Sequence, residues 1–335
     1  MAATPTRTPA SSPYGWATGR LGLIHSFLYR FGPPRWSQFV RKHWSGQRVV
    51  IAVPYLWLVL FFAVPFVIVL KLSFAEVQLA MPPFSPLIEK VSEAVYAIRI
   101  NLGNYSYLLS DPLYTSSYIY SVKVAAISTF FCLLFGYPMA YAIARSSPTL
   151  RNIWLMLIIL PFWTSFLLRV YAWVGLLKTD GLINQVLGLV GIGPLTMMYT
   201  DFAVYIGIVY SYLPFMILPL YSNLEKHDLT LLEAAADLGA GPVKSFLQIT
   251  LPLSMPGIIA GSLLVLIPAV GEYVIPTLLG RSDQLMIGRV LSDEFFANRD
   301  WPVASAVSIA MLILLVVPIM LFQRYQSREL AGARK

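Results

Sequence analysis

The chain has 335 residues, of which 57% are hydrophobic and 12% charged, with a formal net charge of +8. Soluble domains are about a quarter charged, so a water-soluble globule of this length is excluded and a membrane protein is indicated. The single cysteine, Cys132, rules out a disulfide framework, and three scattered histidines (His25, His43, His227) argue against a metal centre.

In chain order, residues 1–48 come first, with seven Lys or Arg and no acid. Leu21, Ile24 and Leu28 fall at helical spacing between Arg20 and Arg30, which predicts a helix lying on the anionic inner leaflet. A nucleic-acid-binding tail is the other reading of such a leader. The adjoining apolar run already accounts for the charge, so no nucleic acid is expected as a partner.

A hydrocarbon core about 30 Å thick needs about 20 apolar residues per helix. Six stretches qualify: Val49–Leu70, Ser116–Ala144, Ile153–Leu177, Phe202–Leu220, Pro256–Leu279 and Val303–Phe322. Lys123 interrupts the second and Arg169 the third. The first starts too late, and lacks the small-residue cleavage site, to be a secretory signal. With the N-terminus inside, cytoplasmic segments hold 15 of the 24 Lys and Arg, the outer loops six, and three lie within or at the edges of spans. Basic residues favour the cytoplasmic side, so both termini are expected there. The expected division is a basic leader 1–48, a six-span all-α domain 49–323 and a short cytoplasmic tail 324–335.

Between the fourth and fifth spans, the cytoplasmic loop 223–255 contains "HDLTLLEAAADLGAGPVKSFLQITLPL". Asp228 or Thr230 caps a helix of about three turns, and Thr230 with Glu233 fits a capping box. Gly239 suits the left-handed residue that ends a helix, and Pro242 suits the first turn of the next. The loop therefore reads as two short helices joined by a glycine turn. Periodicity alone leaves open whether the pair packs beneath the spans or meets another protein.

Glu233-Ala234-Ala235, then Gly239, then Ile249-Thr-Leu251-Pro252 fill every position of the pattern EAA-x3-G-x9-I-x-LP. The loop thus resembles the EAA loop of binding-protein-dependent ABC importer permeases. That resemblance implies a type I importer permease fold whose EAA loop docks on a separate ABC ATPase and transmits its closure to the spans. Small Ala234 and Ala235 allow close approach, and Glu233 can cap its helix or meet a basic partner. The chain has no GxxxxGK[ST] phosphate loop, so ATP and Mg are expected on the partner ATPase dimer and no cofactor or catalytic residue on this chain.

Four further stretches, "LPFWTSFLLRVYAWVGLLKTDGLIN", "DFAVYIGIVYSYLPFMILPLY", "IPAVGEYVIPTLLG" and "MIGRVLSDEFFANRDWPVASA", resemble the spermidine/putrescine branch of these permeases, its putrescine type most. The resemblance spans roughly residues 50–325. It implies a bacterial inner-membrane protein with a second, non-identical permease subunit and a periplasmic or extracellular polyamine-binding protein. The substrate would be putrescine or spermidine.

A route for a flexible polycation calls for carboxylates and aromatic faces. Glu272 is the only acid well inside a span, and an intramembrane carboxylate is a functional candidate by default. Gly271, Pro268 and Pro276 should distort the helix around it. Tyr273, Tyr171, Trp173, Trp163 and Tyr212 offer cation–π faces. The competing readings are interfacial or packing roles for the aromatics and charge balance between Glu272 and Arg169 or Lys123. The loop from Gly280 to Pro302 is either a docking rim for a binding protein or a solvated loop, and the loop from Ser73 to Thr115 is an equal candidate. A permease for another small solute, an ion-coupled secondary transporter and a membrane enzyme are the alternatives. A secondary transporter would more often show several intramembrane ionisable groups.

Overall fold

The computed structural model describes residues 46–92, 95–98 and 100–332, so the interfacial helix expected in the leader lies outside them. Contacts divide the chain into two units, residues 1–68 and residues 69–335. Helix α1, Val50–Leu72, carries most of the described part of the first unit. It contains a π turn at Val59–Ala63, in which the Val64 N–H reaches the Val59 carbonyl. Pro65 follows at once. A proline ring clashes with the carbonyl four residues back, and a widened turn makes room for it.

The second unit begins with a segment tied down by side chains. Asn104 donates through Nδ2 to the carbonyls of Ser73 (2.9 Å) and Ala75 (2.8 Å), and Tyr105 donates to the Ser73 hydroxyl. A two-stranded antiparallel hairpin, β1 (Ile88–Ser92) and β2 (Val95–Ile98), projects from it. Helix α2 follows over Gly103–Ser110. The long helix α3, Pro112–Arg145, realises the second expected span; the Asp111 side chain caps it and Pro112 opens it.

The third expected span, Ile153–Leu177, does not form as one helix. Helix α4, Pro148–Ile159, runs through a 3-10 turn at Leu160–Trp163 and then bends by 91° into α5, Phe166–Leu177. Pro161 withholds a backbone donor, and the Thr164 hydroxyl takes the Pro161 carbonyl at 2.7 Å, so the helical ladder is lost there. A short α6, Leu182–Leu189, completes this corner. The fourth span is α7, Asp201–Leu224, capped by the Thr200 hydroxyl. Helix α8, Thr230–Asp237, belongs to the loop between the fourth and fifth spans.

The fifth expected span, Pro256–Leu279, also departs from a single helix. Helix α9 begins in the loop and runs over Pro242–Val270; the chain breaks at Gly271–Tyr273 and resumes as α10, Val274–Leu279. Pro276 cannot donate to the Glu272 carbonyl, so a helix can start just before it but cannot run through it. Helix α11, Ile287–Ser292, and α12, Trp301–Gly332, follow. Among the described residues, four helices are long and apolar enough to cross a membrane, and five if α4 with its bent continuation is one span; the apolar part described in α12 is Trp301–Val316.

Helix α7 is the centre of the second unit, packed against both α3 and α9, which also touch each other. Association inside lipid relies on close packing, so small residues stand at these crossings. A Cβ at Gly261 would lie 2.7 Å from the Met216 sulfur, and one at Gly136 3.0 Å from the Met216 side chain. The core has two parts. One gathers Cys132, Tyr137, Met216, Leu220 and Val265 towards the α8 end; the other gathers Tyr114, Val124, Ile208, Ile275 and Ile287 towards the opposite end.

The loop from Gly280 to Pro302 is not wholly solvated. Met286, Ile287 and Val290 are buried in the core, and the Ile287 N–H donates to the Ser121 hydroxyl of α3 at 2.7 Å. Residues 281–284 and 295–299 are exposed; Arg281 chelates Asp283, and the half-buried Glu294 accepts from Tyr114 and Asn298. The neighbouring Arg281 holds the Asp283 carboxyl below its ordinary range.

Candidate functional site

The sequence singled out two groups of residues, and the fold places them at opposite ends of α9. In the first group, α8 is only about two turns long. Its start is held by Asp228, whose Oδ1 accepts the Thr230 N–H at 3.0 Å. The capping box is not formed, because Asp228 already takes the donor that Glu233 would meet. Glu233 and Ala234 are exposed, while Ala235 is buried.

The helix ends in a Schellman turn. The Gly239 N–H donates to Ala236 and the Ala240 N–H to Ala235, both at 2.9 Å, with Gly239 at φ +76°. A Cβ at Gly239 would meet nothing within 4 Å. Leu238 is 88% exposed beside it, and Val243 and Leu247 are exposed on the next helix. The result is a protruding knuckle with small residues and apolar side chains outward and no cover among the described residues.

The turn does not lead into a second short helix. Pro242 opens α9, which continues through a π turn at Phe246–Thr250 directly into the membrane stretch. Ile249 lies in the π turn, and Leu251 and Pro252 lie just after it, so this Leu–Pro repeats the arrangement at Pro65. Phe246 meets Tyr137 edge-on, with ring centres 5.6 Å apart, and the Tyr137 and Ser254 hydroxyls are bonded at 2.9 Å. Nearby, Arg151 bonds Glu225 at 2.5 Å and the Ala144 carbonyl at 3.2 Å, joining the ends of α3, α4 and α7. A continuous path of contacts thus runs from the knuckle along α9 and into α3.

In the second group, Glu272 occupies the break between α9 and α10 and is 7% exposed. Its Oε1 accepts the N–H groups of Tyr273 (3.2 Å), Val274 (3.1 Å) and Ile275 (3.4 Å), so it caps α10; its Oε2 accepts the Tyr212 hydroxyl of α7 at 2.5 Å. No cation pairs with it among the described residues. Arg169 instead lies over the rings of Phe162 (5.3 Å) and Phe166 (5.7 Å), so the charge balance with Arg169 is absent here. The carboxylate is matched by helix-end amides and a phenol rather than by a positive side chain.

Of the aromatics, only Tyr212 meets Glu272 through its side chain; Tyr273 does so through its backbone N–H and its ring is exposed. Trp173 packs edge-on against Tyr210, Tyr171 is exposed, and Trp163 is 79% exposed at the α4–α5 bend. Two contributors escaped the sequence reading. Gly288 of α11 lies against the break so closely that a Cβ there would be 2.4 Å from the Gly271 carbonyl oxygen. Ser121 anchors the same helix. A single glycine in a mixed-charge loop and one of several serines in a span carry no pattern that would have marked them.

Comparison with known proteins gives the same picture. The family described as "Binding-protein-dependent transport system inner membrane component" matches residues 132–332. The spermidine/putrescine transport system permease protein PotB of Haemophilus influenzae is 41% identical over 280 residues, covering 83% of this chain and 93% of that protein. PotB of Escherichia coli is 40% identical over 270 residues, covering 80% and 93%. Among solved structures, a bacterial ABC transporter for import of the acidic polysaccharide alginate superposes with a TM-score of 0.61 at 17% identity, covering 88% of this chain and 99% of that one. At that identity the likeness concerns the fold.

Proposed function

The chain belongs to the binding-protein-dependent transport system inner membrane components, and from this premise we propose that it is a permease subunit of an ATP-driven polyamine importer. As a member of that family it is a multi-pass inner-membrane transport subunit and not an enzyme. Putrescine or spermidine is the proposed substrate, supported by the PotB relatives and by an intramembrane carboxylate that no side-chain cation neutralises among the described residues. A polycation passing the break in the fifth span would meet Glu272, Tyr212 and Tyr273. Arg169, stacked on two phenylalanines, stays off that carboxylate.

The observation that carries the coupling role is the uncovered knuckle at Glu233–Gly239, continuous through α9 with the break that holds Glu272. In the proposed mechanism a dimeric ATPase, which holds ATP and Mg, grips this knuckle from the cytoplasm. Its closure moves α9 as a lever, Phe246 carries the motion to Tyr137, and the far end shifts the Glu272 break. A second, homologous but non-identical permease supplies the other half of the path, and a polyamine-binding protein delivers substrate outside. Both termini of this chain are cytoplasmic.

A cysteine at Ala234, in a chain whose Cys132 is replaced, tests the docking. It should crosslink to a co-expressed ATPase subunit, and the yield should change when ATP is trapped. Crosslinking to the lipid-facing side of another permease instead would reject the proposed role of the loop.

A further inference from the structure

We propose that Ser121 is a positioning residue for the substrate path: from α3 it seats α11, and α11 sets the backbone that presents Glu272. The inference rests on the polyamine reading above and adds to it a residue outside the break.

The first N–H groups of a helix have no partner within it. At α11 the cap position is Met286, which has no side-chain oxygen to offer, and the Ile287 N–H is buried. Its acceptor comes from another helix: the hydroxyl of Ser121, itself fully buried, at 2.7 Å. Ser121 does not act alone. Tyr114, Tyr118 and Ser121 fall at i, i+4 and i+7, so they share one face of α3. Tyr118 donates to the Val307 carbonyl of α12 at 2.7 Å. Tyr114 donates to Glu294 at 2.7 Å, in the π turn Asp293–Ala297 that continues α11. The stretch from Ile287 to Ala297 is therefore fastened to α3 at its start and in its last turn.

On its other side α11 meets the break with backbone. A Cβ at Gly288 would lie 2.4 Å from the Gly271 carbonyl oxygen and 2.8 Å from that of Glu272. Packing this close transmits displacement, so a shift of α11 moves both peptides. With them moves the carboxylate that caps α10 and accepts from Tyr212. Further along α3, Tyr137 receives Phe246 edge-on. Tyr137 and Ser121 stand about 24 Å apart on one helix. Motion of the knuckle thus has two routes to Glu272, one along α9 and one along α3 through Ser121 and α11.

The test is a double-mutant cycle on putrescine uptake per complex, in proteoliposomes that hold the complete transporter. Ser121→Ala should lower uptake about fivefold, the effect of one lost hydrogen bond. In a Glu272→Gln background the same change should lower it by less than about twofold, because both residues act on one path. A role in general packing would lower uptake equally in both backgrounds, and that result would overturn the proposal. Tyr114→Phe loosens the other fastening while Ile287 stays paired, so it should show the same dependence on Glu272 even if Ser121→Ala assembles poorly. A second arm needs no transport. Val290→Cys, buried on α11, in a chain whose Cys132 is replaced, should react with a maleimide about fivefold faster when Ser121→Ala is added. Unchanged reactivity would mean that apolar packing alone seats α11, and would overturn the inference. Failure of the unaltered transporter to take up polyamine would strike the polyamine reading instead, with the labelling arm still deciding whether Ser121 seats α11.

Discussion

Gly239 holds φ +76° with no neighbour within 4 Å of a built Cβ, so this chain demands the conformation there but not the empty space. The two requirements separate experimentally. Gly239→Val should strain the turn by about 1–2 kcal/mol, because left-handed backbone is unfavourable for a β-branched residue. Gly239→Asn keeps the turn, since Asn tolerates that region, yet adds a side chain on the docking surface. Both variants should insert normally. If stimulation of ATPase activity by the loaded binding protein falls in the Asn variant as well, close approach of the partner is the constraint; if only the Val variant fails, the turn itself is. At the other end of α9, Tyr212→Phe removes the one side-chain donor to Glu272 found among the described residues. A hydrogen bond to a charged group contributes about 1.5–3 kcal/mol, so the melting temperature of the purified complex should fall. Glu272→Gln keeps the size and an acceptor for the α10 amides, and should lower polyamine uptake more than complex yield. Full uptake by Glu272→Gln with normal assembly would remove this carboxylate from the path.

At the scale of elements, the breaks in the helices do more than their lengths to position the site. Helix α11 props the Glu272 break through Gly288, and any side chain there meets backbone that cannot move away cheaply. Gly288→Ala should therefore destabilise by about 1–3 kcal/mol, seen as a lower thermal midpoint, and should reduce uptake without affecting the cytoplasmic knuckle. An unchanged midpoint would mean that α11 does not buttress the break. The apolar runs were legible because a span needs about 20 apolar residues and hydrophobicity reports that directly. The 91° bend after Trp163 was not legible, since apolar residues continue on both sides of it and hydropathy is blind to direction. The break at Glu272 was half legible: Gly271 and Pro276 announced a distortion, but the partner, Tyr212, lies 60 residues away and had no mark beyond being aromatic. The knuckle was the most legible part, because its turn is local and a left-handed glycine between two capped helices is written in a few consecutive residues. Its second helix was expected to be short, whereas the π turn at Phe246–Thr250 carries α9 on into the membrane stretch.

For the whole molecule, orientation and energy coupling are the properties that no single residue decides. Thr149 and Gly241 should face the cytoplasm, and Ser92 and Ser282 the outside. Cysteines at these four positions, with Cys132 replaced, should divide accordingly in reactivity towards an impermeant thiol reagent on intact cells. Labelling of the Gly241 site from outside would invert the orientation and separate the knuckle from any cytoplasmic ATPase. The knuckle, the α9 lever and the Glu272 break act in series, so the account stands on ATP hydrolysis inside driving polyamine movement from outside. The direct measurement is accumulation of labelled putrescine and spermidine in proteoliposomes that contain this chain, its partner permease and the ATPase. Uptake should require both internal ATP and external binding protein, and should collapse when either is omitted. Uptake that proceeds without ATP, or tracks an imposed ion gradient instead, would contradict it.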